Sequence, residues 1–359
     1  MIFKTYVRYI SKEYFETFLK ISFIFYALIC TLNIFEELSF FKNIEVNFLY
    51  PMLLTFLNSP SILYDIFPFI FLISTQFFFI QIFEKNELII YKNFGLDNFK
   101  ILKIIISVSI ILSLLVIFVF YNFSAKFKHL YLDLKNTYTL DNKYLAVITE
   151  NGLWLKDEID DSILIVNADN IQGYLLKEVS ITVLSKEFEL QKNIEAEKVN
   201  IQNKVWKAIN AKVHLNNNTN KVDELFINTH FDLEKINSLF SDLSSLTMWE
   251  LEKLKNDYAS LGYSTLEVSA HRQKIIAYPA FLIIMTLFSG IIMLNIKANK
   301  SKIFHLIMGI TLSVIIFYIK YFFNLLGENG KIPIMLSIWF PLVILLIFCS
   351  IGLIRINEK

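Results

Sequence analysis

Six long apolar segments punctuate the chain, at approximately 17–35, 60–83, 104–123, 275–296, 303–325 and 334–354. Each reaches the roughly 20 residues a helix needs to cross the hydrocarbon core of a bilayer, so each predicts a membrane span. They form two groups of three around a polar block. Inside that block the hydrophobic period shortens. Runs at 145–149, 163–166, 179–184, 198–201, 206–215 and 224–231 are short, rich in β-branched residues and often alternating. Turn residues separate them: Asn151-Gly152, Asp160-Asp161, Gln172-Gly173 and Asn216 to Asn220. This spacing predicts an antiparallel sandwich or open barrel, with no fixed-period repeat. From 241 the period becomes helical. Thr247 to Glu250 has the form of a capping box, and Trp249, Leu251, Leu254, Tyr258 and Leu261 are expected to share one side of a helix that Gly262 ends. Ser264 to Glu267 caps a second helix leading into the fourth span.

Flanking basic residues orient the spans. The N-terminal stretch carries Lys4, Arg8 and Lys12, and the loop after the second span carries Lys85, Lys92, Lys100 and Lys103. Lys297, Lys300 and Lys302 follow the fourth span, and Arg355 and Lys359 the sixth, whereas the opposite short loops hold little beyond Lys42 and Lys331. Both termini are therefore expected in the cytoplasm and the central block outside, in the periplasm where an outer membrane exists. The expected division is 1–123 for three spans with an amphipathic helix at about 84–95, 124–240 for the β domain, 241–274 for a helical connector and 275–359 for three more spans.

Composition agrees with this division. The chain is 55% hydrophobic and 19% charged, with a mean hydropathy of +0.50. Soluble domains carry about 25% charged residues, so a fully soluble enzyme is excluded, and the polar middle excludes a chain made of spans alone. The net charge of +1 leaves no electrostatic footprint for nucleic acid. Only three of the 34 basic residues are Arg, which reads as compositional bias rather than function. Cys30 and Cys349 lie in apolar runs near opposite membrane faces and are expected to be free thiols. The first apolar run lacks a small-x-small exit and is expected to act as an anchor rather than a cleaved signal.

Motifs of soluble catalysis are missing from the sequence. There is no phosphate-loop pattern, no Gly-x-Ser-x-Gly and no His-Glu-x-x-His. His214 and His230 are placed to meet across strands, although ordinary sheet histidines are the simpler reading. Polar residues in or near the spans are better leads: Asn33, Glu36, Glu37 and Lys42 around the end of span one, Asp65 in span two, and Lys320 and Asn324 in span five. One reading is snorkelling and solvation at the interface. The other is a lining for a charged amphiphile, with Lys42 and Lys320 on phosphates and Phe- and Ile-rich walls on acyl chains. The loop from Glu84 to Gly95 offers Leu88, Ile89, Tyr91 and Phe94 as an apolar helical face. It suits docking onto a cytoplasmic protein or lying on lipid.

The whole layout resembles the lipopolysaccharide-export permeases of the LptF/LptG family. Local patterns match in order: Arg8-Tyr9-Ile10, Pro60 and Pro68 at the start of span two, Glu87-Leu88 followed by Gly95, Trp154 to Asp157, Thr247 to Leu251, Gly327 to Pro333, and Trp339 to Pro341. The resemblance implies an α-helical membrane protein of six spans with an inserted all-β periplasmic domain, jelly-roll-like. It implies a permease without enzymatic activity, one half of an F-type and G-type pair in the bacterial inner membrane. That pair sits on a cytoplasmic ATPase dimer, LptB, so ATP and Mg belong to the partner and this chain holds no cofactor. Lipopolysaccharide drawn from the membrane passes to the β domain, then to LptC and an LptA-like bridge toward the outer membrane. Glu84, Glu87, Leu88, Tyr91 and Gly95 become the coupling set, and spans one and five the dimer interface and cavity wall.

The stretch from Asn33 to Glu37, the Trp154 turn and the ending from Gly327 to Pro341 look closer to the G-type subunit, with the F-type as the alternative. One departure stands out. G-type subunits place basic residues at the outer end of span one, where this chain has Glu36 and Glu37. Two other readings are a membrane-anchored enzyme acting on envelope lipid, which predicts a polar cleft with convergent carboxylates, and an ABC-type permease for a different lipid or lipoprotein.

Overall fold

The computed structural model describes residues 5–44, 46–138, 153–159, 162–215, 218–233, 236, 242–260, 263–295 and 302–357. The expected strand at 145–149, the turns Asn151-Gly152 and Asp160-Asp161, and Lys4, Leu261, Gly262, Lys297, Lys300 and Lys359 lie outside the described residues. The chain divides into two compact units, Met1–Lys128 with Leu266–Lys359, and His129–Thr265.

The first unit contains six helices long and apolar enough to cross a membrane. They are built from α1 (Thr5–Phe40), α2 (Leu49–Glu84), α4 (Asn98–Leu115), α7 (Leu266–Leu294), α8 (Lys302–Glu328) and α9 (Ile334–Asn357), with the short α3 (Glu87–Asn93) between α2 and α4. A π-helical turn, Val116–Tyr121, joins α4 to α5 (Asn122–Asn136). Several helices outrun their apolar segments. The 36 residues of α1 span about 54 Å at 1.5 Å each, against a hydrocarbon core of about 30 Å. Its polar first turns continue the helix, with Lys12 3.7 Å from Glu16 one turn on.

Helix α2 starts eleven residues before the expected span, so Pro60 and Pro68 lie inside it rather than flanking its start. Asn58, Ser59 and Pro60 look like a boundary in sequence. All three are buried in the helix, and the Ser59 hydroxyl donates to the Thr55 carbonyl at 2.6 Å. Proline is tolerated in spans because nearby groups satisfy the backbone it disturbs.

Helices α2 and α7 are the most buried of the six. Lipid supplies no hydrophobic drive between helices, so close approach and interhelical hydrogen bonds must. Both operate here. Ser289 donates to the Leu72 carbonyl at 2.8 Å. The buried Tyr14 hydroxyl on α1 lies 3.0 Å from Ser109 on α4 and 3.3 Å from Thr75 on α2. A Cβ added to Gly290 would stand 2.3 Å from Leu102 Cδ2. Leu72, Phe281, Met285, Ile338, Leu342 and Cys349 fill one shared core cluster. Both cysteines are free.

The second unit is built on a six-stranded antiparallel meander in the order β1-β2-β3-β4-β5-β6. Its strands are β1 (Leu153–Ile159), β2 (Ser162–Gln172), β3 (Leu175–Ser185), β4 (Leu190–Asn200), β5 (Val205–Leu215) and β6 (Asn218–Asn228). Gly173 turns β2 into β3 at φ 60. The pairing omits one residue in each of β2 to β6 along a transverse line: Asp169, Glu178, Glu197, Asn210 and Asp223 are skipped between otherwise regular pairs. Glu178 and Asn210 on this line adopt left-handed φ values of 48 and 54. Isolated left-handed residues inside strands bend the sheet. One cavity of about 240 Å³ is lined both by Ile159, Leu164, Val183 and Ile194 and by Leu225 and Ile227 of β6. The two ends of the strand order thus come to face each other, and the meander forms two layers.

The simpler reading of the two histidines agrees with the structure, and one expectation is corrected. His214 lies 3.0 Å from Thr219 and 3.6 Å from Glu195, and His230 pairs with Asp157. On α6 (Met248–Ser260) Leu251 and Leu254 are buried, while Trp249 is 85% exposed. At 3.6 residues per turn, two positions place Trp249 and Leu251 on opposite sides. The capping carboxylate is present, with Glu250 accepting from the Thr247 N–H at 2.7 Å and its hydroxyl at 2.8 Å.

Two predictions follow the packing. Gly290→Leu should lower stability by about 1–3 kcal/mol through overpacking, read as a fall in the melting temperature of detergent-solubilised protein. Glu178→Val should destabilise the β domain by at least about 1 kcal/mol because a β-branched residue resists left-handed φ. Glu178→Gly should not destabilise it. Limited proteolysis of the β domain separates the two.

Candidate functional site

The turn between α2 and α4 is built around Glu87. Lys85 closes α2, and Asn86 reverses the chain at φ 56, a conformation Asn accepts better than most residues. Glu87 then occupies the first turn of α3, where a carboxylate opposes the helix dipole favourably. Its two oxygens are both engaged. Tyr9 of α1 donates to Oε1 at 2.9 Å and Tyr91 donates to Oε2 at 3.0 Å. Lys85 lies 4.0 Å from Glu87 and 3.5 Å from Glu13 of α1. Burial pushes the Tyr91 phenol above its usual pKa, and the Glu87 carboxylate reinforces the shift. Glu87 therefore fastens α3 to α1.

Gly95 ends the turn at φ 77 with open space around its α-carbon, so backbone conformation rather than crowding calls for glycine. Lys100 donates from its ammonium to the Gly95 carbonyl at 2.9 Å, and Asp97 caps α4 by accepting from the Lys100 N–H at 2.8 Å. Glu84 is exposed, 3.9 Å from Lys302 of α8. Leu88 and Tyr91 are half-buried. Ile89, Ile90 and Phe94 are exposed, Phe94 by 82%. Beside them an open groove of about 920 Å³ is lined by Tyr6, Tyr9, Ile90, Tyr91, Phe94 and Leu96 among others. The apolar face outlined in sequence is therefore shifted. Ile90 joins the exposed set, while Leu88 and Tyr91 turn partly inward.

The polar residues of the spans fall into two sets. On α1, Asn33 and Glu37 are buried and Glu36 is exposed, as is Lys42 in the turn just beyond α1. Asn33 accepts from Asn58 of α2 at 3.3 Å and donates to the Thr55 carbonyl at 3.4 Å, and Lys128 of α5 donates to Asn58 at 2.8 Å. On α8, the half-buried Lys320 sits 3.9 Å above the Phe281 ring and 5.8 Å from that of Tyr278. Among the described residues the buried amide oxygen of Asn324 has no hydrogen-bond partner. Lys274 of α7 pairs with Glu328 of α8, and Tyr278 donates to the Tyr64 carbonyl next to the exposed Asp65. Sequence reasoning missed Asn58, Lys128, Lys274 and Glu328. Asn58 looks like a helix boundary, and the other three lie outside the apolar runs. Their signal is helical continuation past the hydrophobic stretch.

Among the described residues no group of three His, Cys, Asp or Glu side chains is placed to hold a metal ion. No curated protein matches the chain. The model of a family described as lipopolysaccharide export system permease LptF/LptG matches residues 8–355, nearly the full length of the chain. With six membrane helices and an inserted β domain in that order, the chain belongs to the LptF/LptG family of lipopolysaccharide export permeases.

Proposed function

We propose that this chain is the G-type permease subunit of an ATP-driven lipopolysaccharide exporter, coupled to its motor through α3. The observation that carries this reading is the α2–α3–α4 turn. It exposes Ile89 and Ile90 on a seven-residue helix held in place by Glu87, and Phe94 immediately after that helix. Exposed apolar anchors on a short helix fit a groove in a partner. That partner is a cytoplasmic ATPase dimer of the LptB type, which carries ATP and Mg. The basic residues around this turn, Lys85, Lys92, Lys100 and Lys103, support its cytoplasmic side.

Helices α1 and α8 are the least buried spans, which supports their use as faces for lipid and for the F-type sister permease. Lys320 and Lys42 supply cations for headgroup phosphates. Exposed Phe and Ile side chains on both helices accept acyl chains, whose removal from lipid costs about 0.8 kcal/mol for each exposed CH₂. The β domain receives the lipid and passes it through LptC to an LptA-like bridge. The preference for the G-type rests on the Asn33 to Glu37 stretch, the Trp154 turn and the Gly327 to Pro341 ending. Family membership in a group of transporter permeases favours this reading over an envelope-lipid enzyme.

Replacing Phe94 with Asp should weaken capture of the ATPase by at least about 2 kcal/mol, roughly thirtyfold. The readout is ATPase copurifying from native membrane, identified by mass spectrometry. Undiminished capture would overturn the coupling assignment. Lys320→Glu should leave that capture intact and reduce photocrosslinking of lipopolysaccharide from a reporter residue on α8. Equal crosslinking in both proteins would remove Lys320 from the headgroup site.

A further inference from the structure

The open groove of about 920 Å³ lies between the start of α1 and the α3 turn. Two tyrosines of α1 fix its level. Tyr14 reaches Thr75 and Ser109, inside the apolar segments of α2 and α4. Tyr9 lies five residues, about 7.5 Å, nearer the start of the same helix. Its hydroxyl reaches Glu87, just past the end of α2 at Glu84. The groove therefore opens where the hydrocarbon core gives way to headgroups. Its lining suits that level. Tyr6, Tyr9, Ile90, Tyr91, Phe94 and Leu96 supply aromatic and aliphatic surface. Tyrosine is favoured at membrane interfaces because its ring is apolar and its hydroxyl polar. The carboxylate in the lining, Glu87, is already bonded by Tyr9 and Tyr91, with Lys85 4.0 Å away.

The rim is basic. Arg8 and Lys12 are exposed and follow the lining residues Thr5 and Tyr9 by three positions, which makes them neighbours on the helix surface. The Lys100 ammonium rests on the Gly95 carbonyl, between the lining residues Phe94 and Leu96. The nearby acids are engaged elsewhere. Glu16 faces Lys12 at 3.7 Å, Glu13 faces Lys85 at 3.5 Å, and Asp97 caps α4. Among the described residues neither Arg8 nor Lys100 stands in an ion pair, so both are surplus cations.

We propose that this groove seats an anionic phospholipid of the adjacent leaflet, with an acyl chain against Tyr6, Ile90 and Phe94 and the phosphate at Arg8, Lys12 and Lys100. The site itself stands apart from the exporter reading, which supplies only the name cytoplasmic for that leaflet. Its volume falls within the roughly 300–1,000 Å³ of ligand sites. A free anion gains nothing from the apolar walls, and a neutral lipid leaves the cations unused. An anionic lipid uses both, since basic residues beside a span attract anionic headgroups. Seated there, it touches α1 and α3 together and braces one against the other.

The test uses the full chain alone in nanodiscs of phosphatidylcholine and phosphatidylglycerol, with a trace of either lipid carrying a photoreactive acyl chain. Peptide mass spectrometry locates the adducts. The phosphatidylglycerol probe should label the α1 start and the α3 turn about tenfold more than the phosphatidylcholine probe. Equal labelling by the two probes, or adducts confined to other segments, overturns the proposal. This comparison on the unaltered chain decides without any variant. Arg8→Glu with Lys100→Glu should bring the phosphatidylglycerol signal down to the phosphatidylcholine level, measured against adducts on α9 as an internal reference. Unchanged labelling in that variant overturns the proposal. Excess soluble glycerol phosphate should leave the label in place, and displacement by it identifies a site for the free anion and overturns the lipid assignment. Neither ATPase nor lipopolysaccharide is present. A chain that labels as expected yet captures no ATPase therefore refutes the exporter reading and leaves the lipid site standing.

Discussion

Interhelical polar contacts between α2 and its neighbours are what the membrane unit depends on. Apolar side chains gain nothing by leaving lipid for one another, so helices must be held by close fit and by hydrogen bonds. Helix α2 concentrates both. It receives a bond from Ser289 of α7, places Thr75 beside the Tyr14 hydroxyl, and donates from Gln76 to the His305 carbonyl of α8 at 3.3 Å. The Gln76 amide lies 2.0 Å from where a Gly309 Cβ would stand, so only glycine lets α8 come that close without displacing it. The same helix ends in the α3 turn. The α3 turn is therefore anchored on one of the two most buried helices of the unit.

In the β domain the comparable constraint is the line of unpaired positions from Asp169 to Asp223. A flat six-stranded meander has one buried face at most. Bending it across that line lets both halves bury apolar side chains against each other, as Leu164 and Ile227 do in the same cavity. The cost is two left-handed non-glycine residues, on the order of 1–2 kcal/mol each. The polar side chains along the line are placed where the ladder is interrupted.

Hydrophobic period made the broad fold legible. Six apolar runs and a β-branched block need no tertiary information, because span length and strand alternation are local consequences of bilayer thickness and backbone geometry. What stayed hidden is what depends on three dimensions. The start of α2 was obscured because Asn58 and Pro60 read as breakers, yet a buried environment satisfies them. Trp249 is as apolar as Leu251 and Leu254, which suggests one shared side, yet its angular position exposes it. The candidate site divided in the same way. Gly95 and the acidic start of α3 are legible from turn chemistry, but the Tyr9 bond to Glu87 joins residues 78 apart, and no spacing rule encodes it.

That long-range bond changes what Glu87 does. A carboxylate bonded by one phenol from α1 and one from α3 itself, with a lysine nearby, ties α3 to α1. The exposed apolar surface of the turn is the set of Ile89, Ile90 and Phe94. Force applied there has two routes into the unit, through the single left-handed residue Asn86 into α2 and through Tyr9 into α1. The backbone route can hinge, because one residue carries the reversal. The hydrogen-bonded route resists rotation of α3 relative to α1. Under the proposed docking, α3 would be tied to both neighbours, with a pivot at Asn86 and a fixed bond to Tyr9.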